Sequence, residues 1–580
     1  MIYDYVIQEE ASFKKSINVS EGWDWSFWEH IKRSTLYKNS QFERDNENRD
    51  KRPFRNIIRP ILNIQYRTEG FDVKDIEIYA DNSEIYYKSF IIRKYHDDWA
   101  LENAVDNFID NLVESYIDYG GVLVKDTDPM PEVVNLRTIA FCDQTDILSG
   151  PFAIKHQFSP QQLRDMEKNG WGNPKKGATI DIETLITLAD KEKKNDFQKN
   201  LTPGKYIEIY ELHGWFPDKE GKEFNQEIHI IAFYKNQNDQ KMGVTLFTAK
   251  EPKLPFKFLS RDKIQGRALG FGGIEELFES QVWTNYSEIQ IREMLELASK
   301  VFFKTTDQRF KTRNQLVNAD NGQIFDLQQG TDISQIDTIP RNLIIFENAI
   351  RKWEEHANRI GAAGEVLQGE PPTAGTPFKS LETQIIEAKS LHKWRQGKIA
   401  SFVEEIYRDW IIPRISKEIT KGKKFLSELS SEEIIELADK FVDRKVFEIQ
   451  KEDVLNGELP QDSKLLEQKI RTKFLKGGNK RFFELLKNEL KDTPLKIKTN
   501  IAGRQKNLAL LTDKVVNVLR QFLATPQIRQ DPEMIKLLNV ILESSGMSPI
   551  MFGAAPAMAA QQPSSATLPL KEFSDKTFTK

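Results

Sequence analysis

The stretch GAAGEVLQGEPPTAGTPFKS, Gly361–Ser380, limits the possible folds of this chain more than any other. It carries glycines at 361, 364, 369 and 375 and prolines at 371, 372 and 377. Proline lacks the backbone donor that a helix interior needs and clashes with the preceding turn, so no helix passes through this segment. Strong helical patterns flank it, Leu343–Ile360 before and Leu381–Lys417 after, the second with a kink expected near Pro413. Two long rods therefore pack as separate bodies. A second break, GRALGFGG at Gly266–Gly273, opens a third rod that runs to about Lys300. Its expected buried stripe is Leu277, Phe278, Val282, Tyr286, Ile289, Met294 and Leu297.

Between these rods the pattern changes to short β-like pieces, VFFKTTD, QIFDL and ISQIDTI, with polar turns between them. The N-terminal part reads as α+β. Trp23, Trp25 and Trp28 suggest an amphipathic helix, followed by the charged loop FERDNENRDKR. Leu101, Ala104, Val105, Phe108, Ile109, Leu112, Val113 and Tyr116 predict one helix ended by Gly120-Gly121. Strands are expected at GVLVK, VVNLRTIAFC, YIEIYELHGW, EIHIIAFY and GVTLFTAK. After Lys421 every pattern is helical, which predicts an all-α C-terminal domain, and the Ala-, Pro- and Ser-rich end from Phe552 reads as a mobile tail.

Charge and chemistry narrow the function. With 83 basic and 87 acidic residues in 580, net −4, bulk attraction to polyanions is disfavoured. The single cysteine, Cys142, excludes an intramolecular disulfide framework and a cysteine-based zinc finger. The start has no basic region leading into an apolar one and no 18-residue apolar run occurs, so the chain reads as cytosolic, soluble and without a membrane partner. No GxxxxGK[ST] is present, and GRALGFGG lacks both a phosphate-reaching lysine and GxGxxG spacing, so it reads as a turn or hinge. The seven histidines never form HExxH or HxxxH. Cys142 reads as a small apolar side chain, and Asp143 with Asp146 as turn carboxylates, the alternative being part of a metal-dependent nuclease. No catalytic, metal or cofactor site is expected.

The order of these pieces resembles the portal proteins of tailed bacteriophages. The likeness spans about Trp23–Ser545, and Ala357–Ile412 is its most family-like part. It implies a mainly helical α+β chain with a wing at 1–265, a first stem helix at 266–300 and a β clip at 301–342. A second stem helix at 343–360, a tunnel loop at 361–380 and a long kinked helix at 381–420 follow, then a helical crown at 421–551 and a tail at 552–580. It further implies a ring of twelve subunits at one capsid vertex that passes double-stranded DNA and docks terminase, the major capsid protein and a neck, adaptor or tail protein. The location implied is the virion, and the host cytoplasm during assembly.

The resemblance assigns Gly369, Pro371, Pro372, Thr373, Gly375 and Lys379 to the tunnel loop. The stem wall would be Glu275, Glu279, Glu288, Glu293 and Glu296, on a stretch, Ile274–Lys300, of six acidic against two basic residues. That net −4 would repel phosphate and let DNA slide, although a solvated helix face explains the same residues. Lys304, Arg309, Lys311 and Arg313, net +3 over Lys304–Asn314, would form the clip's docking face. The two alternatives are the nuclease and a non-channel helical scaffold or adaptor.

Overall fold

The computed structural model describes residues 2–43, 52–79, 86–190, 206–217, 224–235, 241–308, 326–340, 342–363, 367, 389–421, 442–443, 445–447, 449–455, 462–476 and 496–499. Its fold is α+β. The tunnel-loop residues Gly369, Pro371, Pro372, Thr373, Gly375 and Lys379, the clip residues Arg309, Lys311 and Arg313, most of the proposed crown and the whole tail lie outside the described residues.

The chain opens with α1 (Ile2–Phe13), a hairpin of β1 (Ile17–Ser20) and β2 (Trp23–Trp25), and α2 (Phe27–Lys38). Ser26 caps α2 by accepting from the Glu29 N–H at 3.4 Å. Of the tryptophans, Trp25 is core, whereas Trp23 and Trp28 stay partly exposed. Next come α3 (Ile58–Glu69), β3 (Ile76–Tyr79), α4 (Tyr86–Glu102) and α5 (Val105–Tyr119). The single helix expected from Leu101 is in fact two. Ala104 sits at φ 50°, which breaks the rod, and Leu101 belongs to the end of α4 and is exposed. From Val105 onward the stripe is buried as expected, and Gly120 at φ 80° ends α5 in the left-handed conformation that glycine adopts without strain.

Antiparallel strands follow. β6 (Ile139–Phe141), β7 (Phe152–Phe158), β8 (Ile207–Pro217), β9 (Phe224–Lys235) and β10 (Lys241–Lys250) form one five-stranded sheet in sequential order. β4 (Gly121–Lys125) lies between β5 (Glu132–Val134) and β11 (Phe256–Ser260) in a second sheet. β7 and β11 are not among the expected strands, and VVNLRTIAFC, expected as one strand, divides at Leu136–Thr138 between β5 in the small sheet and β6 in the large one. The large sheet is buried on both faces over part of its area. Ile207 and Ile209 pack with α6 (Pro160–Met166) and α7 (Ile182–Asp190), while Tyr210 and Leu212 point to the α1 and α2 side. This period of two explains why β8 reads as a nearly continuous apolar run.

α8 (Gly273–Ala298) then leads to the two-stranded β12 (Phe302–Thr305) and β13 (Ile333–Ile336), in which Phe302 pairs with Ile336, and to α9 (Leu343–Ile360). α10 (Ser390–Ile406) continues through a π-helical turn, Tyr407–Ile411, into α11 (Ile412–Lys421). The sequence placed this irregularity near Pro413. Proline at 413 denies a donor to the carbonyl four residues earlier, and the wider turn accommodates the mismatch. The main core joins α3, α5, the start of α8 and the buried face of α10 to α11.

The reading of everything after Lys421 as helix needs correction. α12 (Ser463–Lys476) is helical, but β14 (Lys496–Thr499) pairs antiparallel with β3, with Ile497 opposite Ile78. Four residues of alternating character carry no helix signal, and their partner lies more than 400 residues away, where local pattern cannot point.

Candidate functional site

A crossing of backbones positions α8. The Gly120 carbonyl accepts from the N–H groups of Arg261 and Gly270, both at 2.9 Å. A Cβ on Gly270 would stand 2.0 Å from the Arg261 oxygen, and one on Gly272 2.6 Å from the Asp118 oxygen. Only hydrogen fits at these contacts, so GRALGFGG is a packing joint.

A buried ionic hub lies next to the joint. Glu69 at the end of α3, Arg261 and Asp262 after β11, Glu276 in the first turn of α8, and His392 and Arg395 on α10 converge there. Arg395 Nη2 donates to Asp262 Oδ2 at 2.6 Å and to Glu276 Oε1 at 2.8 Å. Arg261 Nη2 donates to Glu69 Oε1 at 3.3 Å. His392 places Nδ1 2.9 Å from the same Glu69 oxygen and Nε2 3.1 Å from the Ala362 carbonyl. Burial pushes the Glu276 carboxyl above the usual carboxylate range, against the pull of Arg261 and Arg395. The hub thus ties α3, α8, α10 and the end of α9 at one point. No sequence spacing announces it, because its members are spread from 69 to 395.

Beyond the hub, α8, the β12–β13 hairpin and α9 form an arm. The indole rings of Trp283 and Trp353 stack with centroids 6.1 Å apart and planes at 7°. Arg55 bridges the two helices, donating to Glu288 at 2.7 Å and Glu354 at 2.9 Å. The buried face of α8 differs from the expected stripe. Beside Ile274 and Leu277 it holds Ser280, Gln281, Thr284, Asn285 and Ser287. Gln281 accepts from the Ile57 N–H and donates to the Arg55 carbonyl, and Asn285 accepts from the Arg55 N–H, so these amides satisfy the backbone that leads into α3 rather than fill an apolar core. Tyr286 and Leu297, expected inside, are exposed.

The five stem-wall glutamates fall into distinct settings. Glu275 pairs with Arg267 at 2.7 Å and Glu288 with Arg55. Glu296 lies 3.5 Å from Lys300 at the surface. Glu279 and Glu293 are exposed, Glu293 accepting from Gln290 Nε2 at 3.1 Å. Lys304 is exposed on β12.

The residues weighed for chemistry serve local structure. Asp143 accepts from the Thr145 N–H at 2.7 Å and Asp146 from the Leu148 N–H at 3.2 Å, each closing a turn. Burial raises the Cys142 thiol well above its ordinary range, and Asp143 adds to this, so the thiolate is disfavoured. A polar cluster that sequence reading missed centres on His213, fully buried on β8. Its Nδ1 is 2.9 Å from Glu251 Oε2 and its Nε2 3.1 Å from Glu211 Oε1. Lys125 and His156 also contact Glu211, so the cluster joins the two sheets. Among the described residues no group of three or more His, Cys, Asp or Glu is arranged to hold a metal ion, and no helix is long and apolar enough to cross a membrane.

No protein-family model and no curated protein matches the chain. Among solved structures, a chain in the virion of a native gene transfer agent particle aligns over 94% of this chain and 99% of its own length, at 9% identity and a TM-score of 0.33. A chain in the neck of the native particle, computed with C12 symmetry, aligns over 85% of this chain and 91% of its own, at 8% identity and a TM-score of 0.30. One in the neck of the empty particle, computed with C6 symmetry, covers 75% and 90%, at 10% identity and a TM-score of 0.24.

Proposed function

We propose that this chain is a non-enzymatic ring subunit of portal type, one copy of a conduit for duplex DNA at a capsid vertex. The observation that carries the reading is the arm. Ile339, Ile344 and Ile345 are 73%, 67% and 64% exposed, and Trp283, Tyr286, Leu295, Leu297, Phe302 and Phe303 are also open to solvent. Exposed apolar side chains concentrated on one arm support a face that other chains cover. The stacked tryptophans and the Arg55 bridge brace the arm, and the hub ties it to the body. A ring of such subunits would bury the exposed residues between neighbours. α8 keeps a net negative charge, which suits a wall past which DNA moves without dwelling.

The portal identity comes from the order of sequence segments. Terminase, capsid and neck or tail proteins are the partners it proposes, with Lys304, Arg309, Lys311 and Arg313 as the docking face and Gly369–Lys379 as part of the loop against DNA. Negative-stain imaging of the purified protein should show closed rings with an open axial hole. Solid clusters or a monomer at every concentration tested would refute the reading. Incubation with DNA and magnesium or manganese should leave the DNA intact, and cleavage would favour the nuclease.

A further inference from the structure

We infer that one face of α8, the stripe Glu279, Trp283, Tyr286, Glu293 and Leu297, is covered in the assembly by a groove on α10 of a second copy. The inference rests on the ring reading and names the surfaces that would meet. Steps of four, three, seven and four residues keep these side chains within roughly 80° of one another around a helix of 100° per residue. All five are exposed. A wall of Trp, Tyr and Leu facing hydrated DNA would leave apolar area in water, so the stripe is better satisfied by protein than by the bore.

The matching surface lies on the same chain. Leu259, Lys393, Trp394, Lys398, Phe402 and Glu405 line an open groove of about 580 Å³, and Lys257 pairs with Glu405. Trp394 is 55% exposed, and Lys398 Nζ stands 3.6 Å from the centre of its ring. The groove also contains Gly397, in a helix interior where glycine costs about 1 kcal/mol relative to alanine. Among the described residues nothing requires that glycine, since a Cβ there would have no heavy atom of theirs within 4 Å. A helix from outside, approaching closely, supplies the missing reason.

Charge selects the occupant. The stripe is acidic and aromatic, whereas the groove is aromatic with two lysines, Lys393 and Lys398, against one glutamate, Glu405, that Lys257 already pairs, so the groove's charge complements the stripe better than a second groove. Their contact is therefore head to tail, the kind that propagates around a ring. They do not meet within one subunit, because the hub holds α8 against the buried face of α10, that of His392, Arg395 and Ile399, while Trp394 and Ser401 lie on the other side and Lys398 stands at the edge, 3.8 Å from Asp262. The assignment takes Glu279 and Glu293 away from the bore and leaves Glu296 as a residue that can face it.

The test is charge exchange, read as the protein concentration at half-assembly by mass photometry in fixed salt. Lys393→Glu with Lys398→Glu, and separately Glu279→Lys with Glu293→Lys, should each raise that concentration roughly 10-fold or more, and the fourfold variant should return it close to wild type. Gly397→Leu should fold at least as stably as wild type, because the site is open, yet fail to assemble. A wild-type protein that never associates defeats the ring reading itself. Wild-type rings with normally assembling variants, or a fourfold variant that does not recover, overturn this inference and leave the ring reading standing. Loss of duplex DNA affinity in the Lys393→Glu, Lys398→Glu ring, with assembly unchanged, would overturn it in favour of DNA as the occupant.

Discussion

Arg395 on α10 holds Glu276 on α8 at 2.8 Å, with the arginine side chain 4% exposed. A desolvated pair of this kind adds little net stability over an apolar pair, but removing one partner leaves the other charge stranded. Its value here is positional: it sets where the arm leaves the body.

Arg395→Met should therefore destabilise the folded chain by about 3–5 kcal/mol, since Glu276, Asp262 and Glu69 all lose a cationic neighbour. Adding Glu276→Gln should recover part of the loss, because burial already disfavours that carboxylate. Urea unfolding of the two single variants and the double variant measures the coupling, expected at about 1 kcal/mol or more. Strict additivity would show that the two residues do not act as a unit.

The glycine crossing makes a steric prediction. Gly270→Ala drives a methyl into the Arg261 carbonyl and should cost more than about 4 kcal/mol, enough to prevent soluble expression. Gly330→Ala is the contrast. Gly330 has φ 85° but open space around it, so the same substitution should cost only about 1–2 kcal/mol of backbone strain. Thermal melts of both variants check the order.

The His213 cluster predicts a pH dependence. Burial alone would lower this imidazole, but Glu211 and Glu251 outweigh it and hold its pKa above the ordinary 6.5. A raised folded pKa stabilises the fold fully below 6.5 and loses that contribution as pH rises through the folded value. Glu211 behaves oppositely. Although burial opposes ionisation, its histidine and lysine partners hold it well below 4.5, so its contribution is present above that value and fades as pH falls below it. Urea midpoints of wild type should fall from about pH 6 to pH 9, and His213→Gln should flatten that slope. An unchanged slope would show that His213 carries no proton in the folded state.

Local periodicity was enough to announce the rods. The stripe from Val105 to Tyr116, the start of α8 after GRALGFGG, α9 and the irregularity at Pro413 all lie within one or two turns of the residues that cause them. The same holds for β8 to β10, where alternation and β-branched side chains act over neighbouring positions. The same local signals placed the glycine and proline breaks between the rods, and the portal resemblance was drawn from the order of the resulting segments.

What the tertiary structure decided depends on residues far apart in the chain. Glu69, Asp262, Glu276 and Arg395 become a hub only when four elements meet. Gln281 and Asn285 look like surface amides in sequence, and it is the backbone at Arg55–Ile57, before α3, that buries them. Five glutamates of one acidic stretch were equivalent on paper, whereas in three dimensions Arg267 and Arg55 neutralise two of them and leave Glu279 and Glu293 outward. Helix propensity and hydrophobic period act within a few residues; ion pairing and backbone satisfaction depend on distance in space, which the fold alone determines.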